Sequence, residues 1–148
     1  MPAESDVIQF EKMIMHLSWA IQKQLAQELI EFHLTVPQYV ALRAIQHEEN
    51  GCTMTRLAQA SYQVAATMTG IIDRLVDQGL VERVRDASDR RTQRVILTAA
   101  GKNLLSQVEI RNLARLNGFL QEMTPTDIEQ MLGWMQRYLE VMVEEQVE

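Results

Sequence analysis

The chain has 148 residues, enough for one compact domain with helical extensions and too few for two. Its 47% hydrophobic and 23% charged residues, with 6 Gly and 3 Pro, are globular in composition and exclude a disordered or collagen-like chain. The net charge of −6, taken as an average, argues against a nucleic-acid partner, but between Thr53 and Gly101 seven Arg face five acids, so this stretch is +2 and the remainder −8.

The amino terminus, Met1 to Asp6, is acidic and lacks the basic-then-apolar layout of a secretory signal. Residues 7–32 then place Val7, Phe10, Ile14, Leu17, Ile21, Leu25 and Leu29 at spacings of three and four, which predicts a long amphipathic helix. With Met13 and Trp19 added, its apolar surface exceeds what a small domain can cover, and a partner chain is the simplest cover. Thr35-Val36-Pro37-Gln38 reads as a capping box opening a second helix that ends near Asn50-Gly51. The longest unbroken apolar run is Tyr39 to Leu42, far short of a membrane span, so no membrane segment is expected and the chain is expected to stay in the cytoplasm.

Thr53 can cap a short third helix carrying Leu57, Ala58 and Ala60, and Ser61-Tyr62-Gln63 makes a tight connection to a fourth helix. That helix, Val64 to Gln78, buries Met68, Ile71, Ile72, Leu75 and Val76 and is stopped by Gly79. The period then falls to about two, and Leu80 to Val84 and Arg94 to Thr98 are predicted as strands joined through the turn-rich Asp86 to Gln93. Thr98 opens a long helix toward Leu120, Thr124-Pro125 breaks it, and a last helix through Ile128, Met135, Leu139 and Met142 closes the chain.

A short helix, a turn, a second helix and a two-stranded ribbon tipped with arginine form the layout of a winged helix-turn-helix. A helix fits the major groove, where base edges are distinguishable, and a slender hairpin can set an Arg in the negative potential of the minor groove. Five arginines, 83, 85, 90, 91 and 94, cluster in that ribbon. Over Leu57 to Gly101 the chain resembles the multiple-antibiotic-resistance-regulator-like (MarR) family of transcription factors, through Asp73-Arg74-Leu75, Gly79-Leu80-Val81, Asp89-x-Arg91 and Leu97-Thr98-x-x-Gly101.

The order of helices is similar to that family too, so the resemblance covers nearly the whole chain. It implies a mainly α fold with a small β wing and a single domain over 1–148, in which a winged module at 35–100 is flanked by dimerisation helices at 7–32 and 102–146. It implies a homodimer acting on double-stranded DNA as a ligand-responsive repressor at a pseudo-palindromic operator. Position by position, Ala65, Ala66, Thr67, Thr69 and Gly70 would face the groove, and Arg74 would be a phosphate contact or a structural ion pair. Arg91 would be the wing-tip residue, held by Asp89, with Arg90 and Arg94 on phosphates. Where relatives often carry Ser at the helix cap, a basic residue next and Arg further on, this chain has Val64, Ala65 and Gly70. Base readout is then expected to be weaker, with shape and wing contributing more. Gly70 costs on the order of 1 kcal/mol against Ala in a helix interior, so close approach of DNA or close internal packing should account for it.

The resemblance also implies a small aromatic or phenolic effector in a cleft between the helical region and the winged module. Met13, His16 and Trp19 share one face of the first helix, and Tyr39 and Arg43 are four apart on the second. If those faces meet they offer aromatic and soft walls, with Arg43 for a carboxylate; otherwise they are ordinary packing residues. The histidines, His16, His33 and His47, lack metal-site spacing, so no metal or other cofactor is expected. Cys52 is the single cysteine, with no basic neighbour in sequence to activate it, and reads as a small buried residue. Phosphate loops, nucleophile elbows and metal motifs are missing from the sequence, which argues against an enzyme. The competing reading is a helical dimer that uses its winged module for protein contacts.

Overall fold

Among the described residues, six helices and three short strands run in the order α1 (Glu4–Ile30), α2 (Val36–Gln46), β1 (Cys52–Thr53), α3 (Met54–Ala60), α4 (Ala65–Asp77), β2 (Val81–Arg85), β3 (Gln93–Leu97), α5 (Ala99–Leu120) and α6 (Pro125–Glu144). The computed structural model describes residues 1–61, 63–86, 88–89 and 91–144. Two compact units divide the chain, Met1–Val108 and Glu109–Glu148.

The first unit holds the core. Leu29 at the end of α1, Leu42 and Ile45 of α2, Leu57 of α3, and Met68, Ile72 and Leu75 of α4 are buried with Val81, Val95, Leu105 and Val108. The apolar periodicity of α2 and α4 is satisfied by this cluster. That of α1 is not: along its apolar stripe before Leu29, Ile14 and Leu25 are half-buried, and Phe10 and Trp19 are 50% and 63% exposed. In the second unit, Ile110, Leu113, Leu116 and Phe119 lie exposed along α5, and Leu132, Met135, Leu139 and Met142 along α6. Thr124 and Asp127 form a capping box that starts α6, with Pro125 as its first residue.

A three-stranded antiparallel sheet has the order β1-β3-β2, with Val81 opposite Leu97, Arg83 opposite Val95 and Arg85 opposite Gln93. Both hairpin strands sit one residue away from their predicted places, because helix ends claim the flanking residues. Leu80 N–H donates to Leu75 O in the left-handed cap of α4, where Gly79 has φ +71°. Thr98 is claimed by the start of α5, its hydroxyl accepting from Gly101 N–H at 3.1 Å and donating to Gly79 O at 2.7 Å. The unpredicted strand β1 pairs Cys52 with Val95 and Thr53 with Arg94. Two residues are too few to show a period, and only the fold reveals them.

Gly101 packs directly on this junction. A Cβ built there would lie 2.1 Å from the carbonyl oxygen of Leu80, which also accepts Thr98 N–H at 3.1 Å. At Gly70 a Cβ would meet nothing within 4 Å, so internal packing does not account for that glycine. One substitution should therefore act with opposite signs. Gly101→Ala should destabilise by about 1–3 kcal/mol through overpacking, and Gly70→Ala should stabilise by up to about 1 kcal/mol. Urea denaturation of both variants checks this, and destabilisation by Gly70→Ala would contradict the open site.

Candidate nucleic-acid interface

Helix α3, the connection after it and α4 form the helix-turn-helix, and the β2–β3 hairpin beside α4 forms the wing. Burying Met68, Ile71, Ile72 and Leu75 turns the opposite face of α4 outward. Ala65, Ala66, Thr67, Thr69, Gly70 and Arg74 are all exposed, so the residues predicted to face a groove share one accessible side. The Thr69 hydroxyl donates to Ala65 O at 3.1 Å, which leaves its lone pairs and methyl outward. Val64 at the N-cap supplies no side-chain hydrogen bond, so the first-turn N–H groups lack side-chain capping at the positive end of the helix dipole.

The wing is ordered by aspartates. Asp86 Oδ1 accepts from Ser88 N–H at 2.8 Å, from the Ser88 hydroxyl at 2.5 Å and from Asp89 N–H at 3.2 Å. Its Oδ2 accepts from Arg94 Nε, and Arg94 Nη1 donates to Gly51 O at 3.1 Å. Arg94 thus ties the wing to the bend before β1. Gly51 has φ +77°, and a Cβ there would lie 2.5 Å from Ile96 and 2.9 Å from Val95 O, so the bend is confined to glycine. Asp89 does hold Arg91, through the main chain: its Oδ1 accepts Arg91 N–H at 2.9 Å while Oδ2 accepts the Thr92 hydroxyl at 3.0 Å. The Arg91 side chain stays exposed at the tip, beyond Arg85 on β2. Arg90, also predicted as a phosphate contact, lies outside the described residues.

Arg83 Nη2 donates to Asp73 Oδ1 at 2.5 Å and clips β2 to α4. Both side chains are part-exposed, and such pairs contribute at most about 1 kcal/mol, so the clip orients the wing more than it stabilises the fold. Nothing in the sequence marks the partners of Arg83 and Arg94, because both pairings depend on tertiary geometry. The Asp-x-Ser-Asp spacing at 86–89 is a readable turn signal that points to Asp86.

The five predicted effector residues are divided. Met13, His16 and Trp19 are exposed, and Trp19 lies about 15 Å of helix before Leu29, where α1 enters the core. Tyr39 is buried, Arg43 is half-buried, and Arg43 Nη1 donates to the Tyr39 hydroxyl at 3.3 Å. Trp19 instead stacks under Lys23, whose Nζ is 4.8 Å from the ring centre. Cys52 is buried in β1, and burial, assisted by Glu48, pushes its thiol up, as an unreactive cysteine requires. Among the described residues no His, Cys, Asp or Glu cluster could hold a metal, and no helix is long and apolar enough to cross a membrane.

The Asp86 carboxyl is held well below the usual carboxylate range, first by the Ser88 hydroxyl, then by Arg94 and the N–H groups of Ser88 and Asp89. A depressed folded-state pKa means that this ordering is complete above the ordinary carboxylate range and is lost only as pH falls through the lower folded value. The Ser88 amide resonance should hold through pH 4 and move only below it. An inflection in the ordinary range would show that Asp86 is not so held.

The MarR family model matches residues 34–92. A Bacillus subtilis protein named as an HTH-type transcriptional regulator, YsmB, is 32% identical over 123 residues, covering 82% of this chain and 83% of its own. A MarR family protein from Bacillus stearothermophilus superposes with a TM-score of 0.85 at 24% identity, covering 97% of this chain and 99% of its own. The S. aureus MepR–DNA complex gives 0.74 at 21% identity, covering 89% of this chain and 97% of its own. The structural likenesses show the winged helix-turn-helix fold.

Proposed function

The chain belongs to the MarR family of transcriptional regulators, and on that footing we propose that it is a sequence-specific repressor that binds double-stranded DNA as a homodimer. The observation that carries the reading is the common exposure of the outward face of α4 and the Arg91 wing tip within one unit. In the proposed complex Thr67 and Thr69 read base edges or thymine methyls, and the uncapped amides of α4 meet a phosphate. Arg91 enters the minor groove. The structure of MepR is a relative's complex with DNA and supports the same use of this fold.

A second copy of the chain is the proposed cover for the apolar faces of α1, α5 and α6, where Phe119 and Trp134 are 60% and 67% exposed. A two-fold dimer would set two α4 helices on half-sites about 10 base pairs apart. Sedimentation at micromolar concentration should give roughly 34 kDa. A well-folded 17.0 kDa monomer would contradict the dimer.

Selection from random duplexes tests the DNA reading. The chain should recover a pseudo-palindrome, and Arg91→Ala should weaken binding and reduce the salt slope by about one. Thr67→Ala should alter base preference more than affinity. Capture of protein partners with no salt-dependent duplex binding would favour the protein-contact reading. The proposed effector is a small aromatic acid bound near Arg43, the α1 wall of Met13, His16 and Trp19 being completed by dimer assembly. Salicylate-like acids should release the selected duplex from wild type more readily than from Arg43→Ala, and equal release would reject that pocket.

A further inference from the structure

Three helix ends converge on one exposed side chain, Gln78, the C-cap residue of α4. Helix α1 finishes through His33, which takes φ +54°, with Leu34 N–H donating to Leu29 O at 3.0 Å. Histidine is among the few residues other than glycine that enter this region with any frequency. Gln78 Nε2 donates to His33 O at 3.1 Å. Gln78 Oε1 accepts from Gln38 Nε2 at 3.3 Å, and Gln38 Oε1 accepts from Thr35 N–H at 2.8 Å. Gln38, 5% exposed, is one of the few buried polar residues of the core. The chain of bonds runs from a main-chain donor, Thr35 N–H, to a main-chain acceptor, His33 C=O, so the direction of both amides is fixed.

The side chain of Gln78 is not needed to end its own helix. Gly79 N–H donates to Val76 O at 2.8 Å and Leu80 N–H to Leu75 O at 3.0 Å, which completes the cap. The Gln78 amide therefore serves two other elements, the end of α1 and the start of α2. Helix α4 is gripped by the core along one stripe, and the Gln78 amide adds a polar tie at its C-cap. From Gln78 to Ala65 the helix runs about 20 Å, so a tilt of about three degrees moves the outward-facing end by about 1 Å.

We propose that Gln78 is a positioning residue that fixes the direction of α4 against the end of α1, and so transmits the placement of α1 to the helix that reads DNA. The inference rests on the assignment of α4 as that helix. Its geometric part is independent of DNA and is tested separately.

The test uses the full chain with Gln78→Glu and Gln78→Ala. Glutamate keeps the acceptor for Gln38 but aims a carboxylate oxygen at the His33 carbonyl; alanine removes both bonds. Intrachain distances are read first, from spin labels at Gln24→Cys on α1 and Ala66→Cys on α4 in a Cys52→Ser chain diluted into unlabelled protein. The parent should give one narrow distance and both Gln78 variants a broadened or shifted one. Unchanged distributions in both variants would overturn the proposal, whether or not any duplex binds.

Affinity is then compared for the selected duplex and for duplexes with half-sites one base pair closer or further apart. At pH 8 both variants should bind the selected duplex at least ten-fold more weakly and discriminate less between spacings. Relative to wild type, Gln78→Glu should partly recover at pH 5, where the protonated fraction of the acid can donate to His33, and Gln78→Ala should not. Equal weakening at every spacing with no pH recovery would assign Gln78 a purely structural role and overturn the proposal. Absence of duplex binding by wild type, with distances that respond to the variants, would count against the DNA reading alone.

Discussion

The carbonyl of Leu80 is the point on which the winged unit depends. It accepts Thr98 N–H, closing the root of the hairpin, and the Cα of Gly101 presses against it, so that α5 starts at van der Waals contact with the main chain. The Thr98 hydroxyl bridges the same place, from Gly79 O to Gly101 N–H. The end of α4, the base of both wing strands and the start of α5 thus share one set of main-chain groups. A side chain at position 101 would force them apart. Gly79, Leu80, Thr98 and Gly101, which carry much of the resemblance to the MarR family, have a structural reason here independent of DNA.

The charge of the wing is used twice. Arg83 is held by Asp73 and Arg94 by Asp86 and Gly51 O, so two arginines of the cluster orient the ribbon, and Arg85 and Arg91 stand exposed beside them. With Ala65, Ala66 and Gly70 on the outward face of α4, that face carries little charge of its own. Attraction to a polyanion then falls mainly to the wing and to the uncapped amides of α4, while close approach falls to the small side chains. An acidic chain with a +2 central segment fits this division, since the excess of positive charge lies in the winged part of the sequence.

The fold was legible where periodicity is long. Seven apolar positions mark α1, and the change from a helical to a two-residue period marks the wing. Capping chemistry was equally readable: Thr35, Thr53 and Thr98 stand where helices begin, and Thr124, read only as part of a break, caps the last helix. Pairing across the fold was not. Cys52–Thr53 is a strand only because β3 lies beside it, and Arg94 reads as one more surface cation until the register brings it to Asp86. The bond between Gln38 and Gln78, forty residues apart, leaves no mark in sequence, where Gln38 reads only as part of a capping box and Gln78 as an ordinary polar position. The effector residues share helical faces as predicted, yet within one chain α1 leaves Met13, His16 and Trp19 exposed while Tyr39 is buried, a difference that helical spacing does not encode.

The claim that α4 and the wing tip form the DNA-reading surface is tested most directly by amide hydrogen exchange on the full chain, with and without the selected duplex. The amides of Ala65 to Thr67, and those of Ser88, Asp89 and Arg91, should slow on adding DNA, while the strand amides at the hairpin root stay unchanged. Unaltered exchange at α4 and the wing tip, with protection appearing on another face of a DNA-bound chain, would contradict the account.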